Sequence, residues 1–138
     1  MDERERGSAP PDPDPDVARQ RAVVDAFFAA ARGGSFEALV AVLDPEVVLR
    51  SDGGSARSEA TLVLRGAAAV ARRGLQSATP SSSLHPVLVN GAAGVVAMID
   101  DRPFSVMDFV VVAGKIVEIN AISDPERLRV FDLTRLDR

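Results

Sequence analysis

Few residues in this chain have the chemistry to move a proton or hold an ion. Asp108 is the most suggestive. It lies inside the apolar run SVMDFVVV, and a two-residue period puts it on one face with Phe104, Val106, Val110 and Val112. A carboxylate on an apolar concave face stays protonated to higher pH and can act as a general acid or base. The plainer expectation, which the residues alone favour, is a sheet-edge aspartate paired with an arginine such as Arg50. Asp52 is a second candidate carboxylate. His85, the single histidine, precedes Pro86 near a strand start. A rim position facing solvent is expected for it, because no orienting partner is evident. With no cysteine and one histidine, disulfides, thiolate chemistry and a multi-histidine metal site are excluded. No metal or cofactor is expected.

Two short stretches stand out for a different reason. In RSDGGSARS (50–58), Asp52-Gly53-Gly54 leaves an apolar run. Adjacent glycines suit a turn with positive φ, and a turn is the favoured reading over a partner-contacting surface. A phosphate nest is weakly supported, since no helix is clearly aimed at the loop. Further on, Asp124-Pro125-Glu126-Arg127-Leu128 reads as a helix start: Asp124 as cap, Pro125 in the first position, Glu126 in the first turn.

Charge limits the partners. Residues 1–16 hold six acids and two bases, which accounts for the whole net charge of −4. Residues 17–138 are balanced, a poor basis for neutralising phosphates or for lying on a membrane surface. No direct DNA binding and no membrane role are expected. The acidic N-terminus lacks the apolar stretch of a signal peptide, so a cytoplasmic location is expected. Arginine outnumbers lysine 15 to 1, which hints at a GC-rich coding genome.

These residues need elements to position them. Residues 1–16, with four of the nine prolines, are expected to be a disordered, acidic, Pro-rich linker or tail. Asp14 or Asp16 can cap the run VARQRAVVDAFFAAAR, with Pro15 tolerated near the first turn; the run predicts a largely buried helix, with Arg21, Asp25 and Arg32 on one narrow stripe. Gly33-Gly34 ends it. Ser35 caps a second helix with Phe36, Leu39, Val40 and Leu43 at helical spacing. EVVLRS predicts a strand, TLVLRG a short one, AAAVARRGLQ a helix, and SATPSSS a loop. LHPVLVN, GVVAMID, PFSVMDFVVV and KIVEINAI predict an antiparallel meander turning at Asp100-Asp101-Arg102 and Ala113-Gly114. The order gives an α+β fold with helices on one side of a sheet.

The stretches VVDAFFAAARGGSFEALVAVLDPEVVLRSDGG (23–54), RGAAAVAR (65–72), PVLVNGAAGVV (86–96) and GKIVEINAISDPERL (114–128) resemble the SnoaL-like branch of the nuclear-transport-factor-2-like superfamily. The resemblance is nearest to the C-terminal domain of extracytoplasmic-function sigma factors of actinobacteria, and spans 17–130, leaving 131–138 as a C-terminal tail. It implies a cone: a strongly bent antiparallel sheet with the N-terminal helices on its concave face. In that family an Asp-Gly-Gly-Gly-Lys motif follows the first strand and an Asn-Pro-Asp-Lys-Leu motif lies near the end, both associated with contact to the sigma core. Asp52, Gly53 and Gly54 match the first; Ser55 and Ala56 replace the third glycine and the lysine, with Arg57 one place on. Asp124, Pro125, Glu126, Arg127 and Leu128 match the second conservatively.

The resemblance therefore implies a non-enzymatic regulatory domain that contacts a sigma-factor core or RNA polymerase. Because the family carries two sigma regions upstream, the chain reads as a stand-alone or truncated domain. Phe27, Phe28, Phe104, Met107 and Phe109 are core candidates that would line an open cone and favour a small apolar ligand. Relatives that dimerise through the sheet face make a homodimer an analogy to consider. The alternative is a small enzyme like ketosteroid isomerase or a polyketide cyclase, using Asp108, Asp52 or His85. The chain has no tyrosine to serve as an oxyanion donor of that kind.

Overall fold

The structure, a computed structural model, describes residues 16–77, 83–89, 92–128 and 133–135. The expected linker (1–15), most of SATPSSS and most of the expected C-terminal tail lie outside the described residues. Helices α1 (Val17–Arg32), α2 (Phe36–Val42) and α3 (Ala67–Ser77) accompany strands β1 (Leu43–Asp52), β2 (Leu62–Arg65), β3 (Ser83–Val89), β4 (Ala92–Ile99), β5 (Arg102–Val112) and β6 (Lys115–Ile122). A short helix α4 (Pro125–Leu128) and a strand β7 (Leu133–Arg135) follow. The α+β class and the helix-backed curved sheet are as expected.

One sheet runs β2-β1-β6-β5-β4-β3-β7. The four-strand meander is antiparallel, but β1 joins it alongside β6 in parallel, so the sheet is mixed. The two meander turns place Asp100 and Asp101 (φ 53° and 64°) and Ala113 and Gly114 (φ 52° and 80°) in left-handed conformations. Paired positive φ values match the right-handed twist of the strands they join. Part of the expected tail is structured: Leu133–Arg135 pairs with β3 at the sheet edge.

Asp16 caps α1, its Oδ1 accepting from the backbone N–H of Ala18 at 2.9 Å. Ser35 caps α2 through Ala38 N–H at 3.1 Å. Helix α1 is not buried all round, as its composition suggested. Only Gln20, Val24, Phe27, Ala30 and Ala31 are buried. Alanine is tolerated on the solvent side because it favours the helix without needing burial. Gln20 fastens α1 to the sheet, its Oε1 accepting from Ala93 N–H at 3.1 Å.

The main core lies between helices and sheet, where Val24, Phe27, Leu39 and Val70 meet Leu49, Val95, Phe109 and Ile119. A smaller core of Val87, Val89, Val96 and Val106 occupies the opposite face, with Leu128 of α4 packed against it. Both faces are therefore apolar in part, which decides how the site is built.

Candidate functional site

A cavity of about 360 Å³ opens between the helices and the sheet. Its buried floor is Phe27, Leu49, Val70 and Ile119, with Met107 and Ala121 beside them. Its mouth carries Arg57, Glu59, Arg73 and Phe104. Ser51, Ser105 and Ser123 supply the remaining polar lining. The size falls at the low end for small-molecule sites.

Of the five apolar residues expected to line a cone, Phe27, Met107 and Phe104 do so. Phe28 and Phe109 do not. The rings of Phe27, Phe28 and Phe109 meet pairwise at centroid distances of 5.2, 6.0 and 5.8 Å. That edge-on cluster fills one end of the cone as core. Phe28 instead borders a separate pocket of about 110 Å³ beside Arg21, Asp25 and His85. There Arg21 donates to the Val87 carbonyl at 3.0 Å, while its Nε and Nη1 are buried without a partner. His85 Nε2 lies 3.0 Å from Ser83 Oγ, away from the main cavity.

Phe104 reaches the cavity mouth through a bulge. Ala97 pairs with Ser105 and Met98 with Pro103, which leaves Phe104 unpaired between them. A strict two-residue period put Phe104 on the face of Asp108; the bulge overturns that.

Asp108 lies on the face away from the helices: it shares that face with Val106 of the smaller core and pairs with Gly94 of β4. Asp108 therefore does not line the inner cavity; it borders a second, more open pocket of about 430 Å³ on the other face, together with Arg50, Asp52, Thr61 and Asn120. Alternation places Asp108 with Val106, but the apolar residues there belong to the smaller core. Nor is it a sheet-edge residue, because β5 is the central strand. Asn120 Nδ2 donates to Asp108 Oδ1 at 3.0 Å and to Glu118 Oε2 at 3.1 Å. Arg50 Nη1 reaches the same Glu118 oxygen at 3.0 Å. The result is a polar ladder across β5, β6 and β1, in which Asn120 and Glu118 stand between Asp108 and the arginine.

Burial pushes the Asp108 carboxyl above the usual aspartate range; the Asn120 hydrogen bond opposes this and the Glu118 charge adds to it. A raised folded pKa means that the folded state holds the proton more tightly than the unfolded chain. The stability from that proton is present below the unfolded pKa and is lost as pH rises through the folded one. Asp108→Asn is expected to raise the melting temperature at neutral pH and to flatten the fall in stability between acidic and neutral pH. Melting curves across that window check it; an unchanged pH slope would remove Asp108 as its source.

The Gly-Gly loop is tied down from within. Asp52 Oδ1 accepts from Gly54 N–H at 2.9 Å, and Gly53 N–H donates to Thr61 Oγ1 at 3.0 Å. Gly54 has φ +64°, and a Cβ there would sit 2.5 Å from Asp124 Cγ. The two motifs, some seventy residues apart, therefore meet. Asp52 also accepts through its backbone carbonyl from Ser123 N–H at 2.9 Å. Asp124 Oδ1 accepts from Glu126 N–H at 3.2 Å and caps α4.

Arg57 completes this clasp and turns inward. Its Nη1 donates to the carbonyls of Ser123 at 2.7 Å and Phe104 at 3.1 Å. Its guanidinium lies 4.3 Å from the centroid of the Phe104 ring. Neither the Phe104 contact nor Ser123 is visible as a partner of Arg57 in sequence. Leu128 is likewise turned inward, and the Arg127 side chain lies outside the described residues. Arg57→Ala is expected to cost about 1.5–3 kcal/mol in urea unfolding, from charged hydrogen bonds plus the ring contact. Arg57→Lys should recover little, because an ammonium cannot stack on the ring as a planar guanidinium does. A loss below the error of the measurement would mean that solvent replaces the clasp.

No family model matches the chain, and no curated protein does. Solved structures do. Extracytoplasmic-function sigma factor SigJ of Mycobacterium tuberculosis is 26% identical with a TM-score of 0.64, over 83% of this chain and 44% of that one. An NTF2-like protein of unknown function from Burkholderia xenovorans LB400 is 16% identical, with a TM-score of 0.54 over 78% and 85% of the two chains. The fold is NTF2-like. A protein from Kribbella flavida assigned as a ketosteroid isomerase matches at 20% identity and a TM-score of 0.55, over 78% of each chain. The NTF2-like fold is thus similar to that of a sigma factor and of an assigned enzyme, and function has to be argued from the site. Among the described residues no helix is long and apolar enough to cross a membrane.

Proposed function

We propose that this NTF2-like chain is a regulatory domain of the kind appended to extracytoplasmic-function sigma factors, acting by protein contact, with the inner cavity as a pocket for a small apolar ligand. The observation that carries the reading is the meeting of the two motifs. Asp52-Gly53-Gly54 and Asp124-Pro125-Glu126 form one patch through Gly54 and Asp124. Exposed Pro125 and Glu126 offer a partner a fixed edge of that patch. The 26% identity to SigJ supports this direction. SigJ is more than twice as long as the matched region, so a sigma-core or polymerase partner for this chain is part of the proposal.

The inner cavity lends the aspartate route to an enzyme no carboxylate of the expected pair. Asp108 and Asp52 border instead the pocket of about 430 Å³ on the other face, where Asn120 hydrogen-bonds Asp108 and Asp52 is engaged in its own turn. The test is a tagged chain in its native cells, crosslinked, with RNA polymerase and sigma peptides quantified against a Glu126→Arg strain. Enrichment that the variant abolishes, with its melting curve unchanged, supports the reading. Absent or variant-independent enrichment defeats it. An immunoblot of the native product would show, by a band well above the mass of 138 residues, whether sigma regions are attached in the cell.

A further inference from the structure

The cavity that the proposed function treats as a ligand pocket also has a polarity along its depth. Phe27, Val70 and Ile119 make its floor dry; they are 6%, 1% and 3% exposed. Such a floor favours an apolar chain or ring, because it takes apolar surface out of water. At the mouth two guanidinium groups, Arg57 and Arg73, face a single carboxylate, Glu59. Arg57 is committed to the Ser123 and Phe104 carbonyls. Arg73 is not committed: among the described residues it makes no hydrogen bond or ion pair. It lies on α3 one turn from Val70 and beside Gly74, so the same helix face supplies floor and charge. Glu59 is exposed on a single 3-10 turn, Ser58–Ala60, where water screens it.

We propose that the cavity takes an amphipathic acid, its apolar body on the Phe27–Val70–Ile119 floor and its carboxylate at the mouth against Arg73. A planar guanidinium matches a carboxylate with paired hydrogen bonds, and the neighbouring Ser51 and Ser105 hydroxyls lie in the same lining. Arg57 adds positive potential without leaving its carbonyl partners. An amine head would meet two like charges there. An alcohol would accept a single uncharged hydrogen bond there, without the charge or the paired geometry of a carboxylate.

The inference rests on the cavity half of the proposed function, and its test needs no partner protein, so each can fail alone. The purified chain is titrated with decanoate, decanol and decylamine by calorimetry. Decanoate is expected to bind at least about tenfold more tightly than decanol, as a charge-assisted pair implies. Decylamine is expected to bind most weakly. Arg73→Gln should bring decanoate to the affinity of decanol and leave decanol unchanged. Equal binding of decanoate and decanol, stronger binding of decylamine, or no binding of any of the three would overturn the proposal. If Arg73→Gln fails to fold, the head-group comparison on the native chain still decides.

Discussion

Gly54→Ala is expected to cost about 2–4 kcal/mol of unfolding free energy, against about 1 kcal/mol for Gly34→Ala. Both glycines hold positive φ, +64° and +72°. A methyl group at Gly34 would meet nothing within 4 Å, so only the left-handed backbone is penalised. At Gly54 the methyl would enter the Asp124 carboxyl group, 2.5 Å from Cγ and 2.6 Å from Oδ2. Asp124 cannot swing aside freely, since it caps α4. Gly53→Ala belongs with Gly54→Ala, because its methyl would fall 2.1 Å from the Arg57 carbonyl oxygen, a backbone atom. Paired urea titrations measure these differences. Equal losses at Gly34 and Gly54 would show that the loop yields, and that the two motifs are not held in register by their packing. The expected larger loss would also warn that altered partner binding in a glycine variant reflects a displaced loop.

The second large effect is Phe109→Ala, expected to cost about 3–5 kcal/mol. Phe109 is 2% exposed and contacts both Phe27 and Phe28. Its loss would open a cavity at the closed end of the cone, in a domain whose total stability is on the order of 5–15 kcal/mol. Phe104→Ala makes the contrast. Phe104 is 39% exposed, and its removal is expected to cost about 1 kcal/mol, most of it from the Arg57 contact. Thermal and urea unfolding of the two variants should separate them clearly. A loss at Phe109 no larger than at Phe104 would mean that the aromatic cluster collapses around the gap.

Local physics made most of the elements legible. Asp16 and Ser35 announce helices because their side chains satisfy free backbone N–H groups, a requirement met within three residues. The β-branched runs of the last third announce strands, and Asp100-Asp101 and Ala113-Gly114 announce tight turns, for equally local reasons. The apolar stretch around Asp108 predicts a strand and forms β5, in which Asp108 shares a face with Val106.

Which face that is could not be read. The sheet is apolar on both sides, so period two separates the sides without saying which one the helices cover. That choice sends Asp108 to the polar ladder and away from the cavity. The bulge at Phe104 is similar: one unpaired residue on β5 turns a ring toward Arg57, and only pairing with β4 creates it. Finally, the residues at 52–54 and 124–126 each show a turn or a cap by themselves. Their contact depends on β1 and β6 running side by side in parallel, which brings Asp52 and Ile122 into register at the same end of the sheet. The sequence by itself determined the elements, the caps and the tight turns, because those rest on groups within a few residues of one another. Only the tertiary structure decided which side chains share the cavity, because that follows from strand order, register and the choice of face, all set by contacts between residues far apart in the chain.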